Sequence, residues 1–513
     1  MTAPVPDSVS EPVSEPVSEP VSEPGSEPGS EPVSAAPAAA AAEPAHRLRW
    51  IALLVLLAAE VMDMLDALVT HIAGPTIVAD IGGGESTIQW LGACYTLALA
   101  AGLITGGRLG DIHGKKRMFL IGALGFAAGS LLCALAWAPG VLLAARVVQG
   151  VFGAVMLPQG LGLIKTMFPP REMALAFGLF GPIMGLASVG GPLLAGWLVD
   201  ADLFGTGWRM IFIINLPVAL LAVLVGLWAL PEARTARPPR LDLVGVLLVT
   251  AAGVLMVYPL VQGRELGWPA WTFAMMAASA GLFALFGRYE VARRRAGGDP
   301  LVVPELFRRR AFSGGLVTGV VFFGVIAGFS LVLSLYLQIG LGRSAFDAGL
   351  AFLPWSIGTA IGAGAGASLV ARLGRRLVHL GLAVMALGTG GLLVVLETAE
   401  QVTTWAMSPA LVVAGVGMGA VMAPFFDIVL AGVEPQETGS ASGALTAVQQ
   451  LGGSFGVALL GTVFFQFEAD FAAGTGVAAA IRTTLWVVLG LLAVTFAAVY
   501  LLPRRARPAA EQP

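Results

Sequence analysis

Between Trp50 and Leu502 long apolar runs alternate with short polar connections, and each run is about the length a helix needs to cross a bilayer. At 1.5 Å rise per residue, roughly 20 apolar residues cover a hydrocarbon layer of about 30 Å. The pattern predicts fourteen such helices, near residues 49–72, 87–107, 118–137, 140–166, 173–198, 210–230, 241–262, 271–290, 312–337, 348–369, 378–397, 406–431, 442–466 and 481–502. The expected fold class is therefore an all-α polytopic membrane protein.

The basic residues test that count. Of 29 Arg and Lys, 24 fall in one set of alternate connections, four on the other side (Arg209, Arg264, Arg343, Arg482), and Arg146 lies within a span. Arg and Lys are retained on the cytoplasmic side, so both termini are expected in the cytoplasm, as an even number of spans requires. The composition agrees: 57% hydrophobic residues, 12% charged and a mean hydropathy of +0.84 exceed what a soluble core of this size uses. A multi-pass protein of the cell membrane is expected, with the lipid bilayer as its surroundings and no water-soluble catalytic domain.

Residues 1–46 differ from the rest. The triplet SEP recurs six times at a four-residue period between Ser10 and Pro32, and an Ala-rich run follows. Such a stretch has nothing to bury and reads as a disordered cytoplasmic tail rather than a secretory leader. Cys94 and Cys133 sit in apolar stretches, and His46, His71, His113 and His379 are scattered. No spacing suits a metal, and there is no Ser/His/Asp arrangement and no P-loop. The expectation is a non-enzyme with no catalytic residues, no metal, no cofactor, no use of ATP and no nucleic-acid partner, acting as a monomer. Any uphill work has to draw on an ion gradient.

One segment recurs. Gly106 to Arg117 closes the second span, and Gly366 to Arg376 closes the tenth in matching register, pairing Gly106 with Gly366, Leu109 with Leu369 and Gly114 with Gly374. Two halves of like topology are a common plan among secondary transporters. Six spans per half leave two over, giving a 6+2+6 order. The expected divisions are the tail 1–46, a first six-helix bundle 47–232, a two-helix insertion 233–298, a second six-helix bundle 299–503 and a cytoplasmic tail 504–513.

The run Gly107-Arg108-Leu109-Gly110-Asp111-Ile112-His113-Gly114-Lys115-Lys116-Arg117 resembles the signature between spans two and three of the major facilitator superfamily (MFS). LLAARVVQGVFG, from Leu142 to Gly153, is similar to its fourth-span motif, with Arg146, Gln149 and Gly150 in place. GPIMGLASVGGPLLAG in span five resembles the antiporter motif through Gly181, Pro182, Gly191, Pro192 and Gly196, although Ala195 stands where a second glycine is usual. WRMIFIINLP, Trp208 to Pro217, and Tyr336-Leu337-Gln338 with Ser344, Ala348 and Gly349 are similar to further family junctions. After residue 46 the chain thus resembles the fourteen-span drug:proton antiporters of that superfamily. Span one departs from their pattern: the family usually reads close to LDxTIVNVALP, whereas Leu68 and His71 here replace its Thr and Asn.

Span one also holds three acids, Glu60, Asp63 and Asp66, at i, i+3 and i+6, spread over about 120° of one helix face. A charged group deep in a span costs at least ~2.5–3.5 kcal/mol on insertion scales, so three in one span imply a watery cavity or partners. Counting depth from Arg49 puts Arg146 level with the outer two acids, so an ion pair from Asp66 or Asp63 to Arg146 is geometrically reasonable. These four residues are the candidates for proton coupling or substrate contact; the alternative is a static polar face and an ion pair holding spans one and four. His71, Gln149 and Asp427 are further candidates for proton relay or substrate contact, with an interfacial role as the alternative for His71 and Asp427.

The resemblance implies that Gly107, Arg108, Gly110, Asp111, Gly114, Lys115 and Lys116 form a conformational latch, in which Asp111 holds the cytoplasmic side closed. It also places in span five the difference between antiporters and other members. Gly181-Pro182 and Gly191-Pro192 are expected to kink that helix, because each proline removes a backbone hydrogen bond. Together these imply a proton-coupled exporter of hydrophobic, amphipathic or cationic drugs and antibiotics, with the proton as coupling ion. Proton symport of a metabolite and a non-transporting membrane sensor or scaffold are the alternatives.

Overall fold

The computed structural model describes residues 47–169, 172, 176, 179–232, 240–398, 402–430, 433, 438–467 and 476–503. The tail with its SEP repeats and the C-terminal tail after Pro503 lie outside the described residues. What is described is helical throughout, and twelve of its helices are long and apolar enough to cross a membrane.

The long helices are α1 (Arg49–Ile81), α2 (Glu85–His113), α3 (Lys115–Ala134), α4 (Pro139–Met167), α5 (Phe180–Asp200), α6 (Asn215–Ala229), α7 (Leu243–Gln262), α8 (Ala270–Arg295), α9 (Arg310–Leu335), α10 (Leu353–Leu373), α11 (Arg375–Thr398), α12 (Thr404–Leu430), α13 (Thr438–Phe465) and α14 (Gly476–Ala498). A turn at Gly207–Arg209 and the short helix Met210–Ile213 lead into α6, and Ala345–Ala351 leads into α10. The twelve do not include α1, which carries Glu60, Asp63 and Asp66 through its length, or α5.

The first helix corrects the expected boundary. The expected span ends near residue 72, yet α1 continues through Pro75 to Ile81. Proline forfeits one helix hydrogen bond, but the extra turns are anchored. Asp80 accepts from Trp208 Nε1 at 2.9 Å and from Arg209 Nη1 at 2.7 Å.

Packing repeats through the chain. In the first part α4 lies between α2 and α3, and α6 packs on α1 and α3; in the second, α12 lies between α10 and α11, and α14 packs on α9 and α11. The pairs α1–α5 and α9–α13 are equivalent in the same way. The sequence repeat has a physical basis in this arrangement. Gly106 faces the backbone of Ala154 in α4, and Gly366 faces Ala420 in α12. Gly114 and Gly374 turn the chain into α3 and α11 at φ +97° and +50°, which side chains disfavour.

At Gly106 a Cβ would penetrate the carbonyl oxygen of Ala154, part of the neighbouring backbone that cannot swing aside. Gly106→Val is therefore expected to cost about 1–3 kcal/mol. Unfolding of the detergent-purified protein followed by tryptophan fluorescence should show a Tm lower by several degrees; an unchanged Tm would mean that α2 and α4 are not in close contact.

Two seams join the first part to the second, and they are also equivalent: α2 packs on α13, and α5 on α10 with its leading helix Ala345–Ala351. Small residues let backbones approach there, Gly196 against the Ala345 carbonyl and Gly349 against that of Pro192. Two further helices, α7 and α8, have no equivalent in this repeat. α8 packs on α7, and α7 lies over the α2–α13 seam, touching both helices. Gly253 gives room to Leu97 of α2 and Leu451 of α13. Arg264, just past α7, donates to Glu85 Oε2 at 3.0 Å and to the Phe465 carbonyl at 3.1 Å, so it clips the two parts together.

A buried column of acids between the first and fourth helices

The acids of α1 lie along α4, and because the two helices are antiparallel they meet it in reverse order. Asp66 faces Arg146 and Gln149, Asp63 faces Gly153, and Glu60 faces Gly160. A Cβ built on Gly153 would stand 3.5 Å from Asp63 Oδ1, and one on Gly160 3.5 Å from Glu60 Oε1. Gly153, which closes the fourth-span motif, and Gly160, two turns beyond it, thus leave space for carboxylates.

Surroundings separate the three acids. Asp66 is buried and fully engaged: Oδ2 pairs with Arg146 Nη1, while Oδ1 accepts from Gln149 Nε2 at 2.8 Å and from Asn215 Nδ2 at 2.9 Å. Gln149 Oε1 in turn accepts from Arg146 Nη1 at 2.7 Å, and Ser130 Oγ accepts from Gln149 at 2.8 Å and from Asn215 at 3.3 Å. Arg146 also donates through Nε to the Leu91 carbonyl at 3.2 Å and lies 4.2 Å from the centre of the Tyr95 ring. Its charge is thereby met by a carboxylate, a carbonyl and an aromatic face.

Asp63 is also buried, 8% exposed, but among the described residues it accepts a hydrogen bond from Tyr95 only, through the phenol. The same ring lies beneath Arg146, so the phenol joins Asp63 to the charge network without a direct ion pair. Glu60, one turn further along α1, is half-buried and has no hydrogen bond or ion pair among the described residues. From Asp66 to Glu60 the helix passes from a saturated carboxylate to an unsatisfied one.

The remaining candidates separate as well. Gln149 belongs to the Asp66 network. His71 turns its ring toward Gly92 of α2, where a Cβ would stand 3.4 Å from Nε2; its carbonyl accepts from Ser334 Oγ of α9 at 2.8 Å, and its buried Nδ1 has no partner among the described residues. The carbonyl of Ile72 accepts from Gln338 at 2.8 Å, so this turn of α1 docks on the second part. Asp427 is exposed on α12.

In the loop signature, Gly110 leaves room for the Gln159 side chain, whose Nε2 donates to the Gly106 carbonyl at 2.8 Å. Gly107 lies against Pro158. Asp111 pairs with Lys115 one turn on, and Lys116 Nζ donates to the Leu227 carbonyl at 2.7 Å. The long reach is made by Arg108, to the carbonyls of Arg240 at 2.8 Å, Asp299 at 3.2 Å and Pro300. In span five, the surroundings of Gly181 and Pro182 lie outside the described residues. Gly191 and Pro192 are buried, and α5 continues helically through Pro192 to the seam with the second part at Gly196.

Sequence reasoning missed Tyr95, Ser130 and Asn215. Tyr95 and Ser130 are polar side chains inside apolar runs, a weak signal but a readable one; Asn215 lies within the WRMIFIINLP run and has the same character.

Comparison with known proteins adds an independent line. Residues 55–457 match the family model of the Major Facilitator Superfamily. A Streptomyces coelicolor protein described as a probable actinorhodin transporter is 51% identical over 429 residues, covering 83% of this chain and 74% of that protein. The puromycin resistance protein of Streptomyces alboniger is 38% identical over 444 residues, covering 85% of this chain and 86% of its own length. Among solved structures, an auto-inhibited POT family peptide transporter superposes with a TM-score of 0.66 at 13% identity, over 90% of this chain and 99% of that one, a likeness of fold alone.

Proposed function

The chain belongs to the Major Facilitator Superfamily, and from that premise we propose that it is a proton-coupled antiporter that exports hydrophobic or amphipathic antibiotics across the cytoplasmic membrane by alternating access. The observation that carries this reading is the column on α1, where a carboxylate held by three donors stands beside two with few or no partners among the described residues. Carboxyl groups in that setting can gain and lose a proton as water reaches them, whereas Asp66 is held by three donors. We therefore assign proton exchange to Asp63 and Glu60, and to Asp66 with Arg146 and Gln149 the task of fixing α1 against α4. The names of the relatives, one a transporter and one a resistance protein, support export of antibiotics. Acids and apolar walls suit amphipathic or cationic cargo.

The architecture is read as fourteen spans in a 6+2+6 order, with α1 and α5 joining the twelve apolar helices, and with bundles at 47–232 and 299–503 flanking the insertion at 233–298. The Arg-rich ends of the helices, where α1 begins and α2 meets α3, are placed in the cytoplasm with both termini. The ties at Arg264, His71, Ile72 and Gly196 then lie toward the outer face and support an inward-facing state. In this reading the protein works as a monomer with the proton as its coupling ion. Arg108 and Asp111 govern the cytoplasmic side, and Gly181 to Gly196 line the hinge that restrains proton leak.

Everted membrane vesicles test the reading directly. With an inside-acid gradient imposed, puromycin or actinorhodin is expected to accumulate inside, and addition of either to energised vesicles should dissipate the gradient. Folded protein that does neither across these and a panel of amphipathic cations would overturn the proposal; drug uptake accompanied by proton movement in the same direction would replace it with symport.

A further inference from the structure

A second pair of buried acids lies far along the chain from the α1 column, at the base of the α7–α8 hairpin. Asp242 caps α7 and is 2% exposed; Glu290, near the end of α8, is 1% exposed. Each has one oxygen well served. Asp242 Oδ1 accepts from the Gly245 amide at 3.0 Å and from the Tyr289 phenol at 2.8 Å, and Glu290 Oε2 accepts from the Val302 amide at 3.0 Å. The other two oxygens, Asp242 Oδ2 and Glu290 Oε1, are buried with no hydrogen-bond partner among the described residues. They face one another: both stand 2.8 Å from the point where a Gly245 side chain would begin, and the two carboxyl groups are within hydrogen-bonding reach. Two carboxylate oxygens in that position repel, and a single proton between them turns the repulsion into a hydrogen bond.

The charges around the pair call for the same proton. Arg293 of α8 approaches Asp242 Oδ2 at 3.4 Å, and it donates to the carbonyls of Asp299 at 3.0 Å and Leu241 at 3.2 Å and to the Tyr289 phenol at 3.0 Å. Arg108 of α2 faces the pair from the loop signature and binds the carbonyls of Arg240, Asp299 and Pro300. Asp299 Oδ2 accepts from the Arg240 amide at 2.9 Å. Glu305, in the short helix Pro304–Phe307, is turned to Arg294 instead. Around the pair, two guanidinium groups (Arg108, Arg293) therefore meet three carboxyl groups (Asp242, Glu290, Asp299), and one bound proton brings the sum to zero.

We propose that Asp242 and Glu290 form a proton-binding site separate from the α1 column, and that the shared proton clamps the linker 299–302 and Arg108 to the base of the α7–α8 hairpin. The linker leads into α9 and hence into the whole second part, so the clamp joins the added helices, the loop signature and the second part at one point. The clamped state binds one proton more than the released state. Clamping is therefore complete at low pH and lost as pH rises and the shared proton leaves, with a limiting slope of about tenfold in the release equilibrium per pH unit.

Glu290→Gln replaces the shared proton permanently, because an amide keeps an acceptor for Val302 and presents a donor to Asp242. Hydrogen–deuterium exchange of the full-length protein in detergent, between about pH 5.5 and 8.5 and corrected for intrinsic exchange, reads the clamp at the Leu301 and Val302 amides. The wild type is expected to lose at least tenfold protection there as pH rises, while Glu290→Gln stays protected. Asp242→Asn, which keeps one oxygen for the Gly245 amide and the Tyr289 phenol and places a donor opposite Glu290, should behave alike and serves if the first variant does not fold. Equal pH dependence in wild type and in whichever variant folds would overturn the proposal, as would a wild type whose protection does not change. The readout does not involve transport, so it stands or falls apart from the function proposed above.

Discussion

Replacing Arg146 by methionine is expected to remove most folded protein from the membrane rather than merely slow it. Arg146 is completely buried, and its guanidinium is the counter-charge of Asp66, itself 2% exposed. Removing one member of a buried, hydrogen-bonded pair typically costs about 3–5 kcal/mol, because the other charge is left without compensation. Against a total stability on the order of 5–15 kcal/mol, a loss of that size depletes the native state. Asp66→Asn is milder by the same reasoning. Asparagine still offers an oxygen to Gln149 and Asn215, and Arg146 keeps the Leu91 carbonyl, the Gln149 side-chain oxygen and the Tyr95 ring. Combining Asp66→Asn with Arg146→Gln removes both charges and should restore folded protein well above the level of Arg146→Met. Size-exclusion profiles of a fluorescent fusion give the yields. Monodisperse Arg146→Met at wild-type yield and Tm would show that the pair contributes nothing to the fold, and would return Asp66 to the list of acids free to exchange protons.

That contrast also marks what the linear sequence can carry. Positions of the helices follow from apolar runs because the membrane demands them, and the depth of Arg146 against the α1 acids follows from counting 1.5 Å steps along two antiparallel helices. The pairing with Asp66 was legible for this reason. The difference between Asp66 and Asp63 was not, since it depends on Asn215 arriving from α6 and Tyr95 from α2, helices whose rotation about their own axes is set by packing of small residues. The far end of α1 was hidden for a similar reason: the turns beyond Ile72 are anchored at Asp80 by Trp208 and Arg209, far along the chain. Asp242 and Glu290 are 48 residues apart (290 − 242) at the two ends of an apolar hairpin, where each alone reads as an interfacial acid. Only closure of that hairpin brings them together.

If Asp63 carries the coupling proton, Asp63→Asn should abolish uphill transport while leaving downhill movement of cargo intact. Asp63 is buried against Gly153 and held by the Tyr95 phenol, so an amide of the same size fits the site and keeps an acceptor for that phenol. The substitution leaves the Asp66–Arg146 pair in place, and folding is expected to be near normal. One proton moving down 100 mV supplies about 2.3 kcal/mol, roughly a 50-fold concentration ratio for a neutral solute exchanged one for one. In everted vesicles that ratio is expected to fall to about one in Asp63→Asn, whereas exchange of labelled for unlabelled drug across vesicles without a gradient continues. Glu60→Gln, made alongside, identifies the share of the second carboxyl, whose site is half-buried and without a hydrogen-bond partner among the described residues. A lower ratio that remains above one in Glu60→Gln, with none in Asp63→Asn, makes Glu60 the antechamber and Asp63 the carrier. Full accumulation by Asp63→Asn with loss in Glu60→Gln would reverse the two roles, and full accumulation by both would move the coupling proton off α1 altogether.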